Sequence, residues 1–199
     1  MNKLIVLAFL ELIMACSNRK SETETEQSID STTTGSTMNP YEKDRQFLQQ
    51  YHQNLVELRL DDAHALICPA YQGRVMTSTA DGSASYGWIN YDLIRSGKIL
   101  PHMNAFGGED RFWLGPEGGQ FALYFKKGDP FDAEHWQTPA AIDSEPFTIS
   151  NTTETSATFT RKVSLVNYSD TRFDIVIERT DTLLTKDEIK RRLTDRIDS

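Results

Sequence analysis

Apolar residues recur along this chain in two rhythms, one helical and one alternating. Phe47, Leu48, Tyr51 and Leu55 fall at helical spacing, which predicts an amphipathic helix over Tyr41–Leu55, opened by the Asn39-Pro40 turn signal. From Val56 the period drops to two. Val56, Leu58 and Leu60 alternate with polar residues, which predicts a half-buried strand over Val56–Leu60. Asp61-Asp62 then reads as a turn, Ala63–Cys68 as a second strand ended by Pro69, and Gly73–Thr79 as a third. Ala80–Tyr86 is a Gly/Ser-rich loop. Gly87–Tyr91 reads as a short strand, and Asp92 as the cap of a short helix stopped by Gly97.

The second half is richer in strand pattern. Phe147–Asn151, Ser156–Asn167 and Thr171–Thr180 are long β segments, and Tyr168–Thr171 is the hairpin turn between the last two. Arg111–Leu114 predicts a short strand, and Gln120–Phe125, apolar on both faces, a buried one. Lys126–Pro139 has no period and reads as a loop pinned by Phe131 and Trp136. The end of the chain turns helical over Leu183–Ile197, with Thr185 as N-cap and Ile189, Leu193 and Ile197 on one stripe. Such strand–turn regularity predicts a mainly β fold, an antiparallel β-sandwich flanked by an N-terminal and a C-terminal helix.

The first 39 residues follow neither rhythm. Met1–Ala15 carries one early Lys, an apolar run and small residues before Cys16, the order of a secretion signal. The run is too short for a spanning helix. Ile13-Met14-Ala15-Cys16 resembles the lipobox of bacterial lipoproteins, with Cys16 as the lipidated residue, although Glu11 interrupts the apolar run. A plain signal peptide with an incidental Cys is the alternative. Residues 16–39 are rich in Ser, Thr and Glu and predict a disordered tether between a lipid anchor and a globular domain over 40–199. The expected location is the bacterial cell envelope, attached to a membrane through Cys16.

Composition narrows the function classes. The chain has 199 residues, 38% hydrophobic and 10% aromatic, with a net charge of −8, so one domain of ordinary size is expected. An acidic chain without a basic stripe argues against a nucleic-acid partner, because phosphate contacts need clustered Lys and Arg. Of the two Cys, Cys68 lies alone in ALICPAY and reads as a buried small hydrophobe. His52, His64, His102 and His135 are scattered, so no cofactor is expected. Ca²⁺ gathered by Glu109, Asp110 and Glu117 is the one ion the residues suggest.

Candidate chemistry concentrates in Pro101–Phe125, PHMNAFGGEDRFWLGPEGGQFALYF. The Gly107-Gly108 and Gly118-Gly119 pairs bracket three carboxylates, Arg111 and Trp113. Gly pairs let other groups approach the main chain closely. A Trp with carboxylates and Arg has the composition of a sugar site: Trp113 to stack on a ring, and Arg74, Asn104, His102 and Arg111 to bind hydroxyls. Glu109 and Glu117 are the carboxylates to test for acid–base chemistry. The structural alternative is a tight corner with Trp113 in the core and Arg74–Glu109 and Arg111–Glu117 as ion pairs.

AYQGRVMTST, SYGWINYDLI, NAFGGEDRFWLGPEGGQF and HWQTPAAID together resemble a bacterial lipoprotein family of uncharacterised function, over most of Leu55–Leu184. More distantly the pattern is similar to galactose-mutarotase-like proteins, through Gly73-Arg74, Gly107-Gly108, Trp113 and Pro116-Glu117. That resemblance implies a large antiparallel β-supersandwich that handles carbohydrate. Two departures count against mutarotase catalysis. Phe106 stands where the family's acid His would be, and the late Glu base has no counterpart before Ser199. The chain is therefore expected to be the N-terminal half of such a domain, with an open curved sheet. The competing expectations are a structural or interaction lipoprotein without catalysis and a non-functional half-domain.

Overall fold

The structure is a computed structural model that describes residues 38–197, with side chains to Thr194. The expected signal peptide, the expected lipidation at Cys16 and nearly all of the expected tether lie outside the described residues. Helix α1 spans Pro40–Tyr51. Asn39 caps it, its side-chain oxygen accepting the Glu42 N–H at 2.8 Å, and Pro40 fills the first helical turn, where no N–H is needed. The helix stops four residues before the expected Leu55, because His52 turns to extended backbone and only its N–H still bonds back to Leu48.

Three antiparallel sheets follow. Strands β1 (Val56–Leu60), β2 (Ala63–Cys68) and β3 (Arg74–Thr79) form the first, in the order β1-β2-β3. Strands β4 (Trp88–Ile89) and β5 (Gly107–Gly108) form a two-residue ladder. Strands β6 (Thr148–Thr152), β7 (Ser156–Val166) and β8 (Arg172–Thr182) form the third, in the order β6-β7-β8. Helix α2 (Tyr91–Ser96) is capped by Asn90, whose side chain accepts the Leu93 N–H. Asp92, the expected cap, instead pairs with Arg95 one turn on. Gly97 ends the helix with φ 61°, as expected.

The first and third sheets share one core, so the fold is sandwich-like. Val56, Leu58, Ala65 and Ile67 from the first sheet meet Ala157, Phe159, Val163, Leu165 and Ile177 from the third. Tyr124, Ile142 and Phe147 enter the same core from loops. The opposite face of the first sheet is covered by helices: Leu66, Cys68 and Met76 pack with Leu48 of α1 and with Leu93 and Ile94 of α2. β2 is thus apolar on both faces because both are buried. Ordinary alternation lets it serve both, while its neighbour β3 carries a bulge: Leu66 pairs with Thr77 and Ile67 with Val75, leaving Met76 as the extra residue.

Two expected strands take another form. Arg111–Leu114 and Gln120–Phe125 are irregular rather than strands. The second keeps a strand-like alternation, with Ala122 and Tyr124 buried, but its backbone groups reach several unrelated partners: Ala122 bonds to Gly119 and Tyr168, Leu123 to Pro116, and Tyr124 to Gln137. Helix α3 (Lys186–Ile197) opens on the expected Thr185 cap, with Glu188 closing a reciprocal capping box. Its apolar stripe does not pack, since Ile189 and Leu193 are exposed. Among the described residues no helix is long and apolar enough to cross a membrane.

Candidate functional site

Arg74 opens β3 with its side chain turned fully inward, 2% exposed. Its Nη1 donates to the Gly107 carbonyl at 2.8 Å and its Nη2 to the Gln72 side-chain oxygen at 3.1 Å. Burial, and then the neighbouring Arg111 cation, push the guanidinium down to about 10. Among the described residues no carboxylate comes within 4.0 Å of it, and its Nε has no partner. The first Gly pair makes this possible. A Cβ on Gly108, where φ is 108°, would sit 2.6 Å from Arg74 Cδ, and one on Gly107 would sit 2.2 Å from the Trp88 carbonyl oxygen. The second pair is different: nothing lies within 4 Å of a Cβ at Gly118 or Gly119, so no group approaches that turn.

Arg111 is held by a residue that sequence reasoning did not select. Its Nη2 donates to Asp143 Oδ1 at 2.6 Å, and Nη1 reaches the Asn104 carbonyl at 3.4 Å. Asp143 also accepts the Asn104 backbone N–H at 3.0 Å and its side-chain amide at 2.7 Å. Asn104, fully buried, closes its own loop by accepting the Leu100 N–H at 2.7 Å. Arg74 and Arg111 therefore grip two carbonyls of one loop, at Gly107 and Asn104.

Over Arg111 stands a cluster of three aromatic rings in mutual contact. The guanidinium carbon lies 4.6 Å from the Trp113 ring centre. Trp113 stacks on Tyr124 at 5.1 Å, and Tyr124 on Trp136 at 5.5 Å. The Tyr124 hydroxyl donates to the Leu114 carbonyl, and burial, with Glu117 nearby, pushes its pKa up to about 12. His102, with φ 68°, lies beside this cluster: its Nδ1 lies 2.6 Å from the Trp136 carbonyl and 2.8 Å from the Gln137 amide.

The candidate residues divide accordingly. Asn104, Arg111 and Trp113 are brought together, and Arg74 lies close enough for Arg111 to depress its pKa. His102 lies beside the aromatic cluster, at the Trp136 carbonyl. Glu109 and Glu117 go elsewhere: Glu109 accepts the Ser78 hydroxyl at 2.9 Å, and Glu117 accepts the Trp113 indole N–H at 2.7 Å. Neither expected ion pair of the structural alternative forms, because Arg111 takes Asp143 and Arg74 takes no acid. Asp110 accepts the Val75 N–H and pairs with Arg179 of β8. The three carboxylates suggested for Ca²⁺ thus serve four different partners between them, and among the described residues no group of three His, Cys, Asp or Glu is arranged to hold a metal.

None of the selected residues lines the groove that adjoins this cluster. Where Leu123–Thr138 faces the end of β7 and the β7–β8 turn, a groove of about 520 Å³ opens. Its lining includes Tyr124, itself almost wholly buried, and the half-buried ring of Phe125. Lys126, Asp129, Glu134, His135 and Asp170 ring it, with Lys127 paired to Asp170 at 2.6 Å. A hydrogen bond that its ring donates to Asp132 raises the His135 pKa above its ordinary value.

Residues 39–199 match a family described as "Family of unknown function (DUF6786)". The chain belongs to this family. No curated protein and no solved structure matches the chain. The DUF6786 match contains every residue of the loop grip, the aromatic cluster and the groove, while Cys16 precedes it. Within this DUF6786 domain, sequence reasoning missed Asp143, Tyr124 and the groove's polar ring. Trp136 had a signal, as an apolar anchor in a loop without period. Asp143 had none, since the short 3₁₀ turn Ala140–Ile142 before it carries no pattern.

Proposed function

We propose that this protein is a lipid-anchored cell-envelope protein that binds carbohydrate in the groove between Leu123–Thr138 and the β7–β8 turn. The observation that carries the reading is the groove's make-up: charged side chains beside the half-buried aromatic ring of Phe125, in about 520 Å³. A sugar offers hydroxyls around a ring with apolar faces, and such a lining meets both. Trp113, Arg111 and Asn104 act behind the groove, fixing Tyr124 and the loops that shape it.

Binding is favoured over turnover. Glu109 and Glu117 line no part of the groove and are committed to Ser78 and Trp113. The position at which mutarotase-like proteins carry a catalytic His is Phe106, buried and stacked on Tyr71 at 4.0 Å. A mutarotase-like ancestry, a sandwich shared with sugar-handling proteins, remains part of this proposal through its motifs and its paired sheets.

The membrane anchor rests on the order of Lys3, the apolar run and Cys16. Cys16→Ala is expected to release the protein from the membrane fraction; retention as firm as before would remove the anchor from the account. The released chain, screened on a glycan array, is expected to give signals that Lys126→Ala with Glu134→Ala abolishes and Trp88→Ala, on the separate β4–β5 ladder, leaves unchanged. An array without signal favours the alternative of an interaction protein without a sugar ligand.

A further inference from the structure

A second groove adjoins the first. It measures about 270 Å³ and is walled by Leu114, Pro116, Phe121, Leu123, Phe173 and Ile175. Phe121 is 58% exposed and Phe173 42%, unusual for side chains of this size. Both grooves share Leu123, Leu165 and Asn167 as walls. The two grooves are contiguous along these residues, and the lining changes from charged to apolar across Leu123 and Leu165.

We propose that the ligand is an amphiphile, a sugar head carrying an alkyl or acyl chain, with the head in the polar groove and the chain in the apolar one. This rests on the carbohydrate reading above. The continuity of the two grooves selects an occupant with both characters in one molecule. The apolar lining selects a hydrocarbon chain over a peptide, because a peptide would bring N–H and C=O groups that need partners and these walls are almost wholly carbon. A glycolipid is the natural class, and a protein tethered to a membrane would meet one there.

The test titrates the unlipidated full-length chain, Cys16→Ala, with methyl, butyl, hexyl and octyl glycosides of glucose and galactose below their micelle concentrations, and with octyl phosphocholine. The expected result is affinity that rises about three- to fourfold per methylene until the groove is filled, the scale of a buried methylene. Phe173→Asp, an exposed position checked for folding by circular dichroism, should remove the chain-length gain and leave methyl glycoside binding intact. Methyl glycoside binding with no dependence on chain length overturns the inference and leaves the carbohydrate reading standing. Octyl phosphocholine binding as well as the octyl glycosides sinks both, since the head is then not read. Absence of binding throughout also sinks both. Sedimentation supplies the last arm: a dimer that Phe173→Asp turns into a monomer would show that a second copy covers the groove, and would overturn the proposal.

Discussion

Arg111 donates to Asp143 at 2.6 Å across 32 residues of chain, with side-chain exposures of 19% and 6%. The pair joins the Gly-rich stretch to the loop before β6, and Asp143 uses the same carboxylate to hold Asn104. Removing one partner leaves a charge buried without compensation, a larger loss than the pair's own net contribution. Asp143→Asn keeps the shape and deletes the charge. It is expected to destabilise the fold by about 3 kcal/mol in urea denaturation. Trp113 emission should shift with it, because Arg111 lies over that ring. A loss below about 1 kcal/mol, the scale of an exposed pair, would show that solvent screens this contact.

The two Gly pairs should respond in opposite ways. Gly108→Ala places a methyl group 2.6 Å from Arg74 Cδ at a φ of 108°. It is expected to cost about 1–3 kcal/mol through overpacking and strain. Gly118→Ala meets nothing within 4 Å and should stay within about 0.5 kcal/mol of the parent. Thermal or chemical denaturation of both variants decides it. Equal effects would mean that Arg74 does not press on β5.

How far the sequence reads true depends on whether pairing or packing sets the pattern. β1 and β2 fall where alternation places them, and the β7–β8 hairpin within two residues, because local period and turn chemistry agree there. Gln120–Phe125 alternates just as clearly, yet forms no strand. Its period reports that Ala122 and Tyr124 are buried, not that a partner strand lies alongside. Ile189 and Leu193 show the converse: the helical stripe is real, but neither residue is covered. At the site, Arg111 and Trp113 stand out by residue type, and their neighbourhood could be read. Asp143 and the groove could not, because both arise from loops that meet only after the two sheets have packed.

His135 provides a titration check at the groove's rim. Its Nδ1 lies 2.6 Å from Asp132 Oδ1, and that hydrogen bond holds the imidazolium above its ordinary value of 6.5. A raised folded-state pKa means the favourable contact is fully present below the unfolded value and is lost as pH rises through the folded one. An NMR titration should therefore place His135 above 6.5, and Asp132→Asn should return it toward that value. A wild-type midpoint at or below the variant's would contradict the pair.

Hydrogen exchange tests the third sheet. β7 is bonded on both edges, to β6 and to β8, whereas β8 is bonded among the described residues only to β7. Amides of Ser156–Val166 are expected to be the slowest to exchange, and every second amide of β8 to exchange fast. Uniform protection along β8 would reveal another chain on that edge.

The central claim is that ligand binds at the groove and not at the Gly-rich stretch that backs it. A ¹⁵N-labelled Cys16→Ala chain, titrated with the strongest glycan from the array, addresses this directly. Chemical-shift changes centred on Leu123–Lys127, Glu134–Thr138 and Ser164–Asn167 are the predicted result, with smaller changes at Trp113 relayed through Tyr124. Changes centred on Gly107–Glu117, or none at saturating glycan, would contradict it.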